Sequence, residues 1–221
     1  QKLTVLVITH KDYEFPNSAC YLPIFVGGER TSAIKSEEFH QDNSGINIAG
    51  KNSSFCELTG LYWAWQNGIF KNNQYVGLVH YRRYFAGKEL YLKKRHIASE
   101  SELLSLLEKY DAILPKKRNY FIESIYSHYQ HAHYVKDLNC TREIISELHP
   151  EYITSFDAIM QGRKIHIYNM FVMSSETASE YCQWLFPILF ELEKRIDITQ
   201  YDNYQKRVFG FIAERLFNVW L

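Results

Sequence analysis

Compact runs of aliphatic and aromatic residues alternate along this chain with longer segments in which apolar residues recur every three or four positions. The compact runs are typical of buried strands, and the longer segments are typical of helices that bury one face. Strands are predicted at Lys2–Ile8, Tyr21–Glu29, Tyr75–His80, Asp111–Pro115 and Lys164–Met173. This alternation predicts an α/β fold with a mostly parallel central sheet flanked by helices, in a single domain over residues 1–221.

Capping residues and prolines indicate where the helices begin and end. Ser54 with Glu57, and Ser99 with Glu102, have the spacing of a capping box, in which two side chains satisfy the first amides of a helix. Helices are predicted at Ser54–Phe70, at Ser99–Lys109, as short pieces within residues 116–160 broken at Pro150, at Ser175–Arg195 around Pro187, and at Gln205–Leu221.

Polar residues follow two of the predicted strands directly. Thr9–Lys11 follows the first strand, and the segment HYRRYF places Arg82 and Arg83 after the strand that ends at His80. The carboxyl ends of strands face the ligand crevice in open α/β sheets. Arginine's planar fork binds phosphate oxygens through paired hydrogen bonds, so this edge is a candidate diphosphate clamp. Ion pairs on the surface at the end of a strand are the alternative.

Two further segments have a weaker pattern. The segment Asp42–Asn52 has short polar side chains and two glycines before a predicted helix, a composition that attracts anions, but it is neither a Walker motif nor GxGxxG. An ordinary loop is the simpler interpretation. The segment HYQHAH supplies His128, His131 and His133, yet no cysteine or carboxylate at ligand spacing completes a metal site, so packed or surface histidines are expected.

Composition excludes several classes of function. Lys plus Arg equals Asp plus Glu at 25 each, so the chain lacks the basic excess typical of nucleic-acid-binding proteins. There is no GxSxG elbow, no CxxC pair among the four cysteines, and no apolar run of the roughly 18 residues that a membrane helix needs. The chain opens with a strand pattern and no signal peptide is visible, so a cytoplasmic protein is expected. Peripheral association with the inner face of the plasma membrane stays open.

Seven stretches, taken together and in order, resemble one bacterial family of capsular and exopolysaccharide biosynthesis, long catalogued as a domain of unknown function and now grouped with glycosyltransferases. The stretches are VITHK, NSGINIAGKN, CELTGLYWAWQN, YVGLVHYRRYF, DAILPKKR, IYNMFVM and QKRVFGFIAERLFNVWL. The resemblance implies a GT-A-like fold, a nucleotide-sugar donor such as a UDP-sugar, and a saccharide or lipid-linked saccharide acceptor in capsule, exopolysaccharide or O-antigen synthesis. Some members of the family are associated with galactose transfer, as pyranose or furanose.

The resemblance also implies which residues bind the donor. The positions that match its motifs are Thr9, His10, Lys11, Asp42, Asn47, Lys51, Asn52, His80, Tyr81, Arg82 and Arg83. Many GT-A enzymes carry a metal-binding Asp-x-Asp motif where this chain has His80–Arg83. Because arginines can stabilise the leaving diphosphate themselves, transfer without a divalent metal is favoured over metal-dependent transfer, and no other cofactor is expected.

An inverting transfer needs a carboxylate to accept the proton of the acceptor hydroxyl. Glu214 ranks first because it is the only carboxylate of the closing family stretch, followed by Glu176 and then Asp202. Each has a structural alternative, since Glu176 can stabilise a helix N-terminus and Glu214 can pair with Arg207 or Arg215.

A non-catalytic nucleotide- or carbohydrate-binding module of a polysaccharide assembly system is the alternative function. It gains weight if none of Asp111, Glu176, Asp202 and Glu214 approaches the donor pocket.

Overall fold

The computed structural model describes residues 2–27 and 40–221. Its backbone divides into two compact units, one formed by residues 1–115 with 170–180 and the other by residues 116–169 with 181–221. The single domain over residues 1–221 stays a prediction, and the two units are described separately.

The described residues form ten strands and eight α-helices. The strands are β1 (Leu3–Thr9), β2 (Tyr21–Phe25), β3 (His40–Gln41), β4 (Tyr75–His80), β5 (Ala86–Leu92), β6 (Arg95–Ile97), β7 (Ala112–Ile113), β8 (Arg118–Asn119), β9 (Lys164–Ile165) and β10 (Phe171–Ser174). The helices are α1 (Asn52–Phe55), α2 (Leu58–Gln66), α3 (Glu100–Leu107), α4 (Ile125–Ala132), α5 (Val135–Leu148), α6 (Ile153–Gln161), α7 (Ser175–Arg195) and α8 (Val208–Trp220).

A six-stranded sheet in the order β3-β2-β1-β4-β10-β7 is the centre of the first unit. The strands β1 to β4 are parallel to one another, and β10 runs antiparallel to both of its neighbours. All seven residues of β1 are buried, as expected for a central strand covered on both faces. A Cβ at Gly60 in α2 would lie 2.6 Å from Ile8 Cδ1, so glycine permits this helix to approach the sheet closely. The predicted α/β fold with a mostly parallel sheet is confirmed.

The helix predicted at Ser54–Phe70 is wrong in its bounds. Cys56 has a positive φ of 55° and separates α1 from α2. Ser54 lies inside α1, where its hydroxyl donates to Lys51 O at 3.3 Å and caps nothing. The Asn52 side chain stabilises the break, because its Nδ2 donates to Cys56 O at 3.0 Å and to Thr59 Oγ1 at 3.2 Å.

The strand predicted at Lys164–Met173 is divided in the structure. Only its ends are strands, β9 and β10, and between them Tyr168 and Asn169 have positive φ angles of 74° and 51°. The predicted strand at Tyr21–Glu29 is confirmed as far as Phe25, and Gly28 and Glu29 lie outside the described residues.

The β5–β6 hairpin was not predicted from sequence, and it is joined to α3 through one carboxylate. The predicted capping box of Ser99 and Glu102 is present at the start of α3. The Glu102 carboxylate also accepts hydrogen bonds from Lys88 N and Glu89 N at 2.9 Å, which anchors the irregular part of β5. These backbone hydrogen bonds lower the pKa of Glu102.

Helices make up most of the second unit, with β8 and β9 as a short antiparallel pair. The Tyr201 hydroxyl donates to the buried Asp137 carboxylate at 2.8 Å, and Arg195 pairs with Glu147 and Glu191. Within residues 2–27 and 40–221, no helix combines the length and the apolar composition that crossing a membrane requires.

Glu102→Ala is expected to remove the protection of the Lys88 and Glu89 amides against hydrogen exchange. The pKa of Glu102 is lowered in the folded state. The stability that its ionised carboxylate contributes is therefore fully present above the ordinary glutamate pKa of about 4.3, and it is lost as the pH falls through the folded-state pKa. Hydrogen exchange followed by mass spectrometry, corrected for the intrinsic pH dependence, measures both effects. The control is Glu108→Ala, at the exposed end of α3. If this variant loses as much protection at the Lys88 and Glu89 amides as Glu102→Ala does, the anchoring role of Glu102 is contradicted.

Candidate functional site

The parallel strands of the first unit end at a common edge. Beyond the strands, three backbone hydrogen bonds continue the pairing, from Asp42 N to Phe25 O at 3.1 Å, from Val26 N to Thr9 O at 3.0 Å, and from Tyr81 N to Ile8 O at 3.1 Å. The edge from β3 to β4 is three strand spacings wide, roughly 14 Å. The structure therefore brings Thr9–Lys11 and His80–Arg83 together, as expected from the sequence.

A tight turn directs two side chains away from the end of β4. His80 N donates to Arg83 O at 3.2 Å, and Arg83 N donates to His80 O at 2.9 Å. Tyr81 and Arg82 are the central residues of this turn. Arg82 is exposed, so its guanidinium lies at the surface of the edge and can be reached by a ligand.

Two tyrosine rings hold the Arg82 guanidinium in place. Its Nη2 donates to the Tyr13 hydroxyl at 3.0 Å, and its Cζ lies 5.2 Å from the centre of the Tyr81 ring. The rings of Tyr13 and Tyr81 are 4.5 Å apart, and His10 contacts Tyr81 edge-on at 5.1 Å. The hydrogen bond from Arg82 lowers the pKa of Tyr13. An arginine fixed in this way is already oriented to bind an oxyanion.

The β5–β6 hairpin brings a second group of cations to Tyr13. Its two-residue loop consists of Lys93 and Lys94, which both have positive φ, at 46° and 65°. Glycine, asparagine and aspartate usually occupy such a loop, because other side chains are strained in this conformation. Lys93 Nζ lies 4.4 Å from the centre of the Tyr13 ring. Backbone strain of this kind persists mostly at functional sites.

A cavity of about 560 Å³ lies between the turn after β4 and the hairpin. Its lining contains three cations, Arg82, Lys93 and Arg95, and no carboxylate, and every lining residue belongs to the described part of the chain. The buried hydroxyl of Tyr84, also in the lining, has no hydrogen-bond partner among the described residues. Burial raises the pKa of Tyr84, so the hydroxyl stays protonated. Charge and shape therefore favour an anionic ligand with a ring system.

Four residues that line this cavity were not predicted from the sequence: Tyr13, Lys93, Arg95 and His96. The run LKKRH was a usable signal, since three adjacent cations are costly to crowd together without an anion. Only the hairpin turn brings that run to Arg82.

Thr9 and Lys11 form a local turn after β1. The Thr9 hydroxyl donates to Lys11 O at 2.6 Å and accepts from Lys11 N at 3.2 Å, while its side chain is buried. Thr9 therefore shapes the edge, and His10 and Lys11 are the residues of this segment that are accessible from it.

Asp42 and Asn52 are brought together through Thr59 at the other end of the edge. Asp42 is only 1% exposed, is hydrogen-bonded to Thr59, and has one carboxylate oxygen, Oδ2, without a partner among the described residues. Burial raises the pKa of Asp42. Asn52 Oδ1 lies 3.1 Å from the position of a Cβ at Gly27, which has a φ of 80°. The structure thus places a buried carboxylate three strands from Arg82.

Asn47 and Lys51, the other two positions proposed in this loop, make local contacts. Asn47 is exposed, with its Nδ2 donating to Gly45 O at 3.0 Å and its Oδ1 accepting from Ala49 N at 3.2 Å. Lys51 Nζ lies 5.9 Å from the centre of the Phe55 ring.

The structure places Glu176 at the opposite edge of the sheet. Because β10 is antiparallel to β4, Ser174 pairs with Tyr75 at the start of β4, and Glu176 follows immediately in the first turn of α7. That end of β4 is about 16 Å from His80. The structure therefore separates Glu176, the second-ranked candidate base, from the edge that carries Arg82.

Asp202 and Glu214 belong to the second unit. Asp202 is exposed, and its carboxylate accepts from Gln205 N at 2.7 Å in the turn that precedes α8. Glu214 is half-buried in α8, and its Oε2 accepts from Tyr168 N, a residue with positive φ, at 3.4 Å. Of these two carboxylates, only Glu214 lies beside strained backbone.

The three histidines of HYQHAH have different partners. His128 stacks on Tyr120 at 3.9 Å, His131 pairs with Glu123, and His133 stacks on Phe211 at 4.1 Å. Within the described residues, no group of three or more histidine, cysteine, aspartate or glutamate side chains is arranged to hold a metal ion.

Comparisons with known proteins identify one family and one similar structure. The model of a family described as a domain of unknown function, DUF4422, matches residues 4–221. The apo structure of the bifunctional glycosyltransferase WbbM is similar over 100% of this chain, with 31% sequence identity and a TM-score of 0.85. The match spans 42% of the WbbM chain. No curated protein matches this chain.

Inorganic pyrophosphate is expected to bind the cavity, and Arg82→Ala should weaken that binding by roughly 1.5–3 kcal/mol, the value of a lost charge-assisted hydrogen bond. Isothermal titration calorimetry on the folded variants measures the loss. Arg83→Ala is the matched control, since Arg83 is exposed and does not line the cavity. Equal losses of pyrophosphate affinity in both variants would show that the anion responds to general surface charge and does not bind specifically in the cavity.

Proposed function

This chain belongs to the DUF4422 family, and we propose that it is a glycosyltransferase that binds a nucleoside-diphosphate sugar at the carboxyl edge of its sheet. The observation that carries this proposal is the cavity lined by Arg82, Lys93 and Arg95 beside the paired rings of Tyr13 and Tyr81. The similarity to WbbM, a bifunctional glycosyltransferase, supports it.

The donor's diphosphate fits the cationic cavity. When the bond between the sugar's anomeric carbon and the diphosphate breaks, negative charge develops on the leaving oxygen. Arg82 and Lys93, already held against the Tyr13 ring, stabilise that charge without reorganising. The tyrosine rings provide flat surfaces on which a sugar or a base can stack.

The nucleoside is proposed to extend along the edge toward Asp42. The distance of roughly 14 Å between the two ends of the edge suits an extended nucleotide sugar. Asp42 Oδ2 has no hydrogen-bond partner among the described residues, and a ribose hydroxyl or a base N–H is proposed to donate to it. Asp42 is thus proposed to recognise the nucleoside. Because it lies roughly 14 Å along the edge from Arg82, it is not proposed as the base that acts on the acceptor.

The finer identity of the reaction follows from the family resemblance. We propose a GT-A-like enzyme that uses a UDP-sugar, with galactose as the first sugar to test, in capsule, exopolysaccharide or O-antigen synthesis. The acceptor is a saccharide or a lipid-linked saccharide, and the enzyme works in the cytoplasm.

Transfer is expected to continue in the presence of EDTA. The physical reason is that Arg82, Lys93 and Arg95 provide the positive charge that a divalent ion supplies in Asp-x-Asp enzymes. Transfer from radiolabelled nucleotide sugars to a saccharide acceptor is measured with and without chelator. Loss of activity that manganese restores would contradict metal-independent transfer.

Glu214 is the proposed general base of an inverting transfer. It would accept the proton of the acceptor hydroxyl while that oxygen bonds to the anomeric carbon and the diphosphate leaves. Its position beside the left-handed Tyr168–Asn169 pair supports the choice, because such strain concentrates at functional sites.

Glu214→Gln is expected to reduce turnover on the order of 10²–10⁴-fold with nearly unchanged donor affinity, since the amide keeps an acceptor for Tyr168 N but cannot take a proton. Steady-state kinetics and calorimetry on the same preparation separate the two quantities. Asp202→Asn and Glu176→Gln are controls expected to retain turnover. Near-normal turnover of the Glu214→Gln variant would show that Glu214 is not the general base.

A binding module without turnover is the second candidate function. It is favoured by the lack of a carboxylate among the residues that line the cavity. A protein that binds nucleotide sugars but neither transfers nor hydrolyses any of them would establish this alternative.

A further inference from the structure

A surface of the second unit combines exposed apolar side chains with clustered positive charge. We call it the basic tip, and it consists of Lys116, Lys117, Arg118, Phe121, Ile122, Arg163 and Lys164. The pairing of β8 with β9 assembles it, with Arg118 opposite Ile165 and Asn119 opposite Lys164. Residues more than forty positions apart in the sequence therefore lie on neighbouring strands.

The apolar part of the basic tip is Phe121–Ile122. Phe121 is 71% exposed and Ile122 is 91% exposed, so the Ile122 side chain contacts almost nothing in this protein. Phe121 has a positive φ of 57°, and its N–H donates to Asn119 Oδ1 at 2.8 Å. Tyr120 N donates to Arg163 O at 2.8 Å, which fixes the chain just before the tip. Two large apolar side chains are thus held in solvent by a backbone that is itself strained.

The basic part is five exposed cations on the two chain segments that flank those side chains: Lys116, Lys117, Arg118, Arg163 and Lys164. None of the five forms an ion pair within residues 2–27 and 40–221. The neighbouring carboxylate of Glu123 is already paired with His131. Ion pairs among the described residues therefore do not neutralise these five cations.

We propose that the basic tip docks this protein on the surface of an anionic membrane. Phe121 and Ile122 would enter the boundary between headgroups and acyl chains, and the five cations would lie against anionic headgroups. An exposed apolar pair flanked by exposed cations in both segments fits this surface better than a protein partner, whose interfaces centre on a broader apolar patch with few charges. It also fits better than nucleic acid, which binds cations but offers no apolar phase. The inference does not depend on the proposed glycosyl transfer.

The test is co-sedimentation of the purified chain with vesicles of phosphatidylcholine alone, or of phosphatidylcholine with about 30 mol% phosphatidylglycerol. Binding is expected only to the anionic vesicles. The pair Lys116→Gln with Lys117→Gln should lower the partition coefficient about 25-fold, at roughly fivefold per charge. The pair Phe121→Ser with Ile122→Ser should lower it at least about tenfold through lost apolar insertion.

Two matched controls are Lys71→Gln with Lys109→Gln, which removes two exposed lysines elsewhere, and Leu148→Ser, which removes an exposed apolar side chain of the second unit. Both should bind vesicles like the unaltered chain. Ile122→Trp should retain binding and give a blue-shifted emission on anionic vesicles. The proposal is overturned if the unaltered chain does not bind anionic vesicles. A second pattern would also overturn it: Phe121→Ser with Ile122→Ser binds vesicles normally, while Lys116→Gln with Lys117→Gln loses binding both to vesicles and to heparin. That pattern would show that the tip binds polyanions such as nucleic acid.

Discussion

The parallel pairing of β1 with β4 is the constraint from which the candidate site follows. In the observed register Ile8 is opposite His80, and the pairing ends with the hydrogen bond from Tyr81 N to Ile8 O at 3.1 Å. A shift by one residue would turn every side chain of β4 to the other face of the sheet and would move the turn that presents Arg82. Close packing at Gly77 favours this register, because Gly77 is opposite Val5 and a Cβ there would lie 3.0 Å from Val172 Cγ2 and 3.2 Å from Val5 Cγ1.

The cationic cavity shows how the fold tolerates positive charges close together without a carboxylate between them. The aromatic rings of Tyr13 and Tyr81 take the place of counterions, since guanidinium and ammonium groups are attracted to ring faces. On the other side of the hairpin, Glu102 bonds to the backbone of β5 and to the start of α3. Its carboxylate thus stabilises the hairpin without neutralising the cavity. This separation of anchor and site leaves the cations available to a ligand.

The sequence predicted the features that depend on burial and missed those that depend on contacts between distant residues. Apolar runs predicted the central strands and the edge shared by Thr9–Lys11 and His80–Arg83, because a buried strand is recognisable by its composition. The β5 segment AGKELYL is half exposed and lacks such a run, so the hairpin that carries Lys93 went unseen. The sequence does not show that β10 is antiparallel to β4, the pairing that places Glu176 at the opposite edge of the sheet. The break at Cys56 depends on the side chain of Asn52, which no periodicity reveals.

The division of the predicted strand at Lys164–Met173 has a cause of the same kind, and it lies in α8. Asn218 pairs with His166 as a strand would, accepting from His166 N at 2.8 Å and donating to His166 O at 2.9 Å. Glu214 accepts from Tyr168 N, and Asn169 Nδ2 donates to Gly210 O at 3.3 Å. Polar groups of the closing helix thus bond to this segment where a neighbouring strand would otherwise do so. Polar residues in a mostly buried helix are costly unless they are hydrogen-bonded, and this segment supplies the partners. The conformation of residues 164–173 therefore depends on their hydrogen bonds with α8, and neither sequence segment by itself predicts it.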